Sequence, residues 1–307
     1  MMRKSLVCKL LGSCVLLLSM AANAETAAVV VAGLGGNPQY AESFEADSTL
    51  IAESLRSVAK EDQHITHFAR DAARNHVLEA IESQGALTVD TFVLVLLGHG
   101  SVDARNWRFN LTGPDLTTED LVSALATVNA TRQVIIVAAS ASGALLKILE
   151  QPGRVVITAT KSGGELNAVR FPGWLAEAMG STKADTDRNE ILTVAEAFRY
   201  ANQKTREYYE ERKLLASEHA RLSGDDAGSI TLVRLGSLAK ASDDLAVAKL
   251  LDERLILEES FRQLRARKSE LPIDDYYQQL ETLLLSIATL QQSIDTATGW
   301  SDPDANS

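Results

Sequence analysis

Val93-Leu94-Val95-Leu96-Leu97-Gly98-His99-Gly100-Ser101 and Val134-Ile135-Ile136-Val137-Ala138-Ala139-Ser140-Ala141-Ser142-Gly143 are two apolar runs that each end in polar, reactive side chains. Runs of this length, rich in Val, Ile and Leu and without alternation, mark strands buried on both faces. Four more strand-like runs lie at residues 28–32, 64–68, 154–158 and 230–233, and most are separated by segments of helical periodicity. That alternation predicts an α/β chain with a doubly wound, mainly parallel sheet of about six strands, helices covering both faces. Leu50, Ile51, Leu55 and Val58 make one helical stripe over 48–59, and Leu121, Leu125 and Val128 another over 117–128. The carboxyl ends of such strands converge on one crevice. His99 and Ser140 are therefore expected to face each other there as base and nucleophile.

In their order, these segments resemble the caspase-like peptidases, and within them the legumain type, the asparaginyl-peptidase-like branch. That type has a His followed by Gly after one strand and an Ala-Cys-x-Ser-Gly turn after the next; here the Cys position is Ser140. The likeness runs on through Phe109-Asn110-Leu111-Thr112-Gly113-Pro114-Asp115-Leu116, Val155-Val156-Ile157-Thr158-Ala159-Thr160 and Phe171-Pro172-Gly173-Trp174, covering roughly residues 26–235. It implies a caspase-like fold, a peptide or protein segment as the molecule bound, no required cofactor, and an oxyanion hole made by the backbone amides of Gly100 and Ser140. What the exchange of sulfur for oxygen puts in doubt is activation. A serine hydroxyl needs a base that is itself oriented by a third group, whereas a thiol ionises far more easily. Asp103 and Glu165 are the candidate orienters, although the commoner state of such residues is a solvated loop charge. Three functions stand: a peptidase-family protein that binds segments with little or no cleavage, an active serine hydrolase using Ser140 and His99, and a scaffold acting through the C-terminal helices.

The 307 residues are 46% hydrophobic, enough for a sizeable core. Residues 1–24 carry Arg3, Lys4 and Lys9, then Val15-Leu16-Leu17-Leu18, then Ala22-Asn23-Ala24, which reads as a secretory signal peptide cut after Ala24. Leu11-Gly12-Ser13-Cys14 offers a competing lipoprotein box, but Lys9 interrupts its apolar run. The expected location is periplasmic or secreted. Both cysteines, Cys8 and Cys14, lie in the removed segment, so the mature chain would have neither thiol nor disulfide. Cleavage takes away three basic residues and no acid, turning a net charge of −11 into −14, which argues against nucleic acid and anionic membrane as partners. No second apolar run approaches the ~18 residues of a spanning helix.

Past residue 235 the pattern changes. Val247, Leu250, Leu257, Phe261 and Leu264, then Leu280, Leu283, Ile287 and Leu290, recur at three- and four-residue steps. With Pro272 at the turn, they predict an antiparallel helical hairpin over 237–297 after an α/β domain over 25–236, with 298–307 as a loose tail. The hairpin is expected to pack on its own domain or itself, with self-association or a partner as the alternative; Arg254 on the stripe argues against a regular zipper. Asp185, Asp187, Asn189 and Glu196 match four places of an EF-hand calcium loop, with Glu190 where a glycine belongs. A structural calcium ion is one reading; the other is a capping box, Thr193 with Glu196, opening a helix. Gly33-Leu34-Gly35-Gly36-Asn37-Pro38 follows the first strand, but Pro38 takes the third glycine place and argues against a dinucleotide.

Overall fold

The structure is a computed structural model and describes residues 25–103, 106–241 and 245–298. The expected signal peptide and all but the first residue of the expected tail lie outside these. In chain order the elements are β1 (Thr26–Ala32), α1 (Pro38–Leu55), β2 (Ile65–Phe68), α2 (Arg74–Gly85), β3 (Thr91–Gly98), β4 (Gly100–Asp103), β5 (Asn106–Phe109), β6 (Leu116–Thr117), α3 (Thr118–Leu125) and β7 (Arg132–Ala139). There follow α4 (Leu146–Leu149), β8 (Arg154–Thr158), α5 (Phe171–Gly180), β9 (Ile191–Thr193), α6 (Val194–Glu211), β10 (Arg221–Ser223), β11 (Thr231–Arg234), α7 (Gly236–Ala241), α8 (Leu245–Ala266) and α9 (Ile273–Thr298).

Six strands form the central sheet in the order β10-β8-β7-β3-β1-β2, parallel except for β10 at its edge. The expected α/β class and mainly parallel sheet are present. Successive side chains of a strand point to opposite faces, which is why the strand sequences need no polar alternation. Val93, Val95 and Leu97 join Val30, Ile51, Leu55, Phe171 and Leu175 under α1, α5 and α6. Phe92, Leu94 and Leu96 join Val29, Val31, Val77, Ile81 and Leu121 under α2 and α3.

One strand was expected in the wrong sheet. Residues 230–233 do lie largely in a strand, β11, but it pairs antiparallel with β9 in a separate two-stranded sheet. The sixth central strand is instead β10, Arg-Leu-Ser, whose three residues carry no apolar run to announce it. The helix expected over 48–59 begins ten residues earlier. Asn37 caps it by accepting the Tyr40 N–H, and Pro38 sits at its first position, where a missing N–H costs nothing.

The C-terminal helices α8 and α9 lie against each other, as expected, and their base is buried against the α/β domain: Val247, Leu251 and Ile294 form one cluster with Ile191 and Leu238. Arg254 is buried, paired with Glu258 at 2.8 Å and donating to Gln291 and to the Asn189 carbonyl. Its charge ties the hairpin to the loop before β9. Among the described residues no helix is long and apolar enough to cross a membrane.

Candidate functional site

The register of β3 with β7 pairs Gly98 with Ala139, so the next residues, His99 and Ser140, leave neighbouring parallel strands side by side at their carboxyl ends. Ser140 is only 2% exposed. Ala141 follows in a left-handed conformation with φ +56°, turning the chain into a short helical turn over 142–144. The Ser140 carbonyl accepts the Trp107 indole N–H at 3.1 Å, which anchors the turn to the small β4-β5-β6 sheet.

Gly100 must be a glycine. A Cβ there would stand 2.3 Å from the Ser140 carbonyl oxygen. The His99 carbonyl accepts the Asn110 N–H, which makes Gly100 and Phe109 a non-hydrogen-bonded pair of the β4-β5 ladder. The Gly100 N–H therefore points away from β5, on the strand that approaches Ser140.

His99 does not stand on a bare exposed turn. It is half-buried, with the Tyr40 ring edge-on at 4.8 Å and the Phe44 ring at 5.1 Å between centroids. Burial lowers the imidazole's pKa; a hydrogen bond to the Gly35 backbone carbonyl pulls the other way without overcoming it. Burial thus favours the neutral ring, and the polar group on it is a main-chain carbonyl. Among the described residues, no hydrogen bond joins its ring to Ser140 Oγ.

Neither expected carboxylate orients His99. Asp103 is 75% exposed and pairs with Arg108 at 3.4 Å, the solvated charge that was the commoner expectation. Glu165 is different, at 11% exposure. It accepts the His219 imidazole at 2.5 Å, the His219 N–H at 3.1 Å and the Lys161 N–H at 2.9 Å. Burial alone would raise its pKa, but these donors outweigh burial and hold the carboxyl below its ordinary range. Its carbonyl accepts the Ala141 N–H at 2.8 Å, so the Glu165–His219 pair braces the Ser140 turn from the β8 side. No local pattern announces a pairing of residues 54 apart.

The expected calcium residues do come together. Asp185, Asp187 and Glu196 bring carboxylate oxygens within 4.8 Å of one another, and Asn189 donates its side-chain N–H to Asp187 at 3.1 Å. The capping box is also present: Thr193 Oγ1 accepts the Glu196 N–H, and Glu196 accepts the Thr193 N–H. Burial and then the neighbouring acids Asp185, Glu196 and Glu258 push Asp187 up to about 6. Glu190 takes the left-handed φ of +60° that the glycine place demands, and its carboxylate accepts the Leu238 N–H at the start of α7.

No family model and no curated protein matches the chain. Among solved structures, it is similar to caspase-1 from Spodoptera frugiperda, 12% identical over 66% of this chain and 87% of that one, with a TM-score of 0.46. It is similar to the Drosophila initiator caspase Dronc, 10% identical over 70% and 82% of the two chains, with a TM-score of 0.41. The third is pro-sf-caspase-1, at 8% identity, 65% and 91% coverage and a TM-score of 0.45.

Proposed function

We propose that the chain is an exported, legumain-type relative of the caspase-like peptidases that holds a peptide or protein segment in the crevice at Ser140 and His99, with little or no cleavage. The observation that carries this reading is the pairing of Gly98 with Ala139, which sets the two residues side by side on rigid strands. The Gly100 N–H, unspent in its ladder, is the amide for a carbonyl oxygen, whereas the Ser140 N–H faces the Gly98 carbonyl across the β3-β7 ladder. The weakness lies in activation. The hydroxyl is almost wholly buried, its base is not hydrogen-bonded to it, and that base is oriented by a carbonyl rather than a charge.

Ser140→Cys tests the reading, because a thiolate needs less help than a hydroxyl. The variant is expected to gain peptidase activity that alkylation abolishes and His99→Ala removes, while the native protein binds peptides without cutting them. Labelling of the native protein at Ser140 by a fluorophosphonate, lost in His99→Ala, would make it a serine hydrolase instead. Failure of both proteins to bind any member of a peptide library would remove the crevice reading altogether. Sequencing of the amino terminus of the exported protein checks cleavage after Ala24.

Two further readings have their own support. Ile256 and Leu285 are 52% and 62% exposed beside a groove between α8 and α9, which suits self-association or a partner through the hairpin. Light scattering on Ile256→Glu would detect loss of an oligomer. The convergence of Asp185, Asp187 and Glu196 suits a structural calcium ion, and calorimetry should then find one weak site that Asp187→Ala removes.

A further inference from the structure

Tyr40 and Phe44, the two rings set edge-on to His99, also line a cavity of about 310 Å³ between the first half of α1 and the start of α5. Trp174 and Tyr208 add two more aromatic side chains to its wall, and Asp47 and Glu177 add two carboxylates. Among the described residues neither acid has a cation within ion-pairing distance, although the Lys204 ammonium acts on Glu177 from further off. Asp47 accepts the Ser43 hydroxyl at 3.4 Å, and Glu177 accepts the Tyr200 hydroxyl at 2.5 Å. The one cation on the wall, Arg170, is engaged elsewhere. Its guanidinium lies 5.3 Å from the centre of the Tyr208 ring, which also carries the Arg212 guanidinium at 4.1 Å, and its charge acts on Glu218, whose carboxylate takes the Arg170 and Phe171 N–H groups. Burial also holds Asp47 above its ordinary range, the sign of a carboxylate removed from water without a counter-charge.

We infer that this cavity receives the cationic side chain of a lysine or arginine in the peptide that the crevice binds. The inference rests on the proposed peptide-binding function. A methylene stem can lie along the rings, while the positive head meets the Asp47 carboxylate, which has no counter-charge, and that of Glu177 beside it. A glutamine of similar length brings no charge to either acid. An aspartate is repelled by both, and the acidic mature chain steers basic segments toward the surface.

The test uses the full chain and two probes: agmatine, which carries a guanidinium but no peptide, and alanine-based pentapeptides with Arg, Lys, Gln or Asp at one varied position. Titration calorimetry is expected to rank Arg and Lys peptides about tenfold or more above the Gln peptide, with Asp weakest. Asp47→Asn combined with Glu177→Gln should erase that ranking while circular dichroism stays unchanged and unfolding stays cooperative. Agmatine should change the tryptophan fluorescence of the native protein and not that of Trp174→Phe. Equal affinity for the Arg and Gln peptides, or a ranking that survives the double variant, overturns the cation pocket and leaves the crevice reading intact. An agmatine signal at Trp174 without binding of any peptide does the reverse: the cation site stands and the peptide-binding function falls.

Discussion

Two acidic loops of this protein put the same chemical group into opposite situations. In the 160–166 loop, Glu165 is surrounded by donors, His219 and two backbone N–H groups, and is held charged below its ordinary range. In the 185–196 loop, Asp187 is pushed up to about 6 by desolvation and then by the other acids it faces. The first carboxylate is a brace whose electrostatic account is closed, and it stands directly behind the Ser140 turn. The second belongs to a cluster that gains from any cation or proton that reaches it. Asp187 is the more exposed of the two, and desolvation raises both, so what separates the directions is the sign of their neighbours.

The crevice side is also the more tightly built, and the largest predicted effect tests that. A Cβ at Gly143 would lie 2.2 Å from the Ser162 nitrogen and 2.3 Å from the Lys161 carbonyl carbon, both main-chain atoms of the bracing loop. Gly143→Ala should therefore cost about 3–5 kcal/mol and lower the melting temperature by roughly 8–16 °C. Gly228→Ala, with nothing within 4 Å of the added carbon, should leave it unchanged. Equal melting temperatures for the two variants would mean that the bracing loop is loosely seated.

The hairpin gives the next effect. Removing residues 240–307 strips Val247, Leu251 and Ile294 from Ile191 and Leu238, but leaves both clusters that sandwich the central sheet. Unfolding should remain cooperative, with stability reduced by about 2–3 kcal/mol from the lost apolar burial. Aggregation, or a broad non-cooperative melt, would show that the hairpin is part of the α/β core.

How much of this was legible follows the same division. His99 and Ser140 could be read because each ends a continuous apolar run, and parallel topology turns that local signal into a shared crevice. The capping box of the 185–196 loop could be read because it is local. The partners in space were not legible. Glu165 was weighed as an orienter for His99, yet it meets His219, and no periodicity reports which loop a side chain will face. The Gly35 carbonyl leaves no mark at all in a side-chain pattern, since every residue has one. The same limit put residues 230–233 into the central sheet: an apolar run announces a strand but not its neighbour.

Glu165→Gln sharpens the comparison at moderate size. Because the folded carboxyl is held below its ordinary range, its contribution is fully present above that range and disappears as the pH falls through the lowered value. The variant should lose about 1–2 kcal/mol at pH 7.5, typical for hydrogen bonds to a charged group, and converge on the native protein at an acid pH below the lowered value. A loss that is the same at both pH values would mean that shape, not charge, is what Glu165 supplies.

Asp187→Asn should give the smallest effect and the opposite sign. The folded carboxyl is raised from 3.8 to about 6, so between those values the folded state holds the proton that the unfolded chain releases, and stability falls as the pH rises through that window. At pH 7.5 in the presence of a chelator, removing this charge should raise the melting temperature by roughly 1–3 °C. At pH 4, where the native residue is already protonated, the two proteins should melt together. Calcium reverses the order if the loop is an ion site, because a cation satisfies Asp185, Asp187 and Glu196 at once and the amide cannot replace the lost charge. Millimolar calcium should then raise the native melting temperature and leave the variant where it was. A variant less stable than the native protein at pH 7.5 with chelator would show that the hydrogen bond from Asn189 outweighs the repulsion, and the contrast between the two loops would fail at this end.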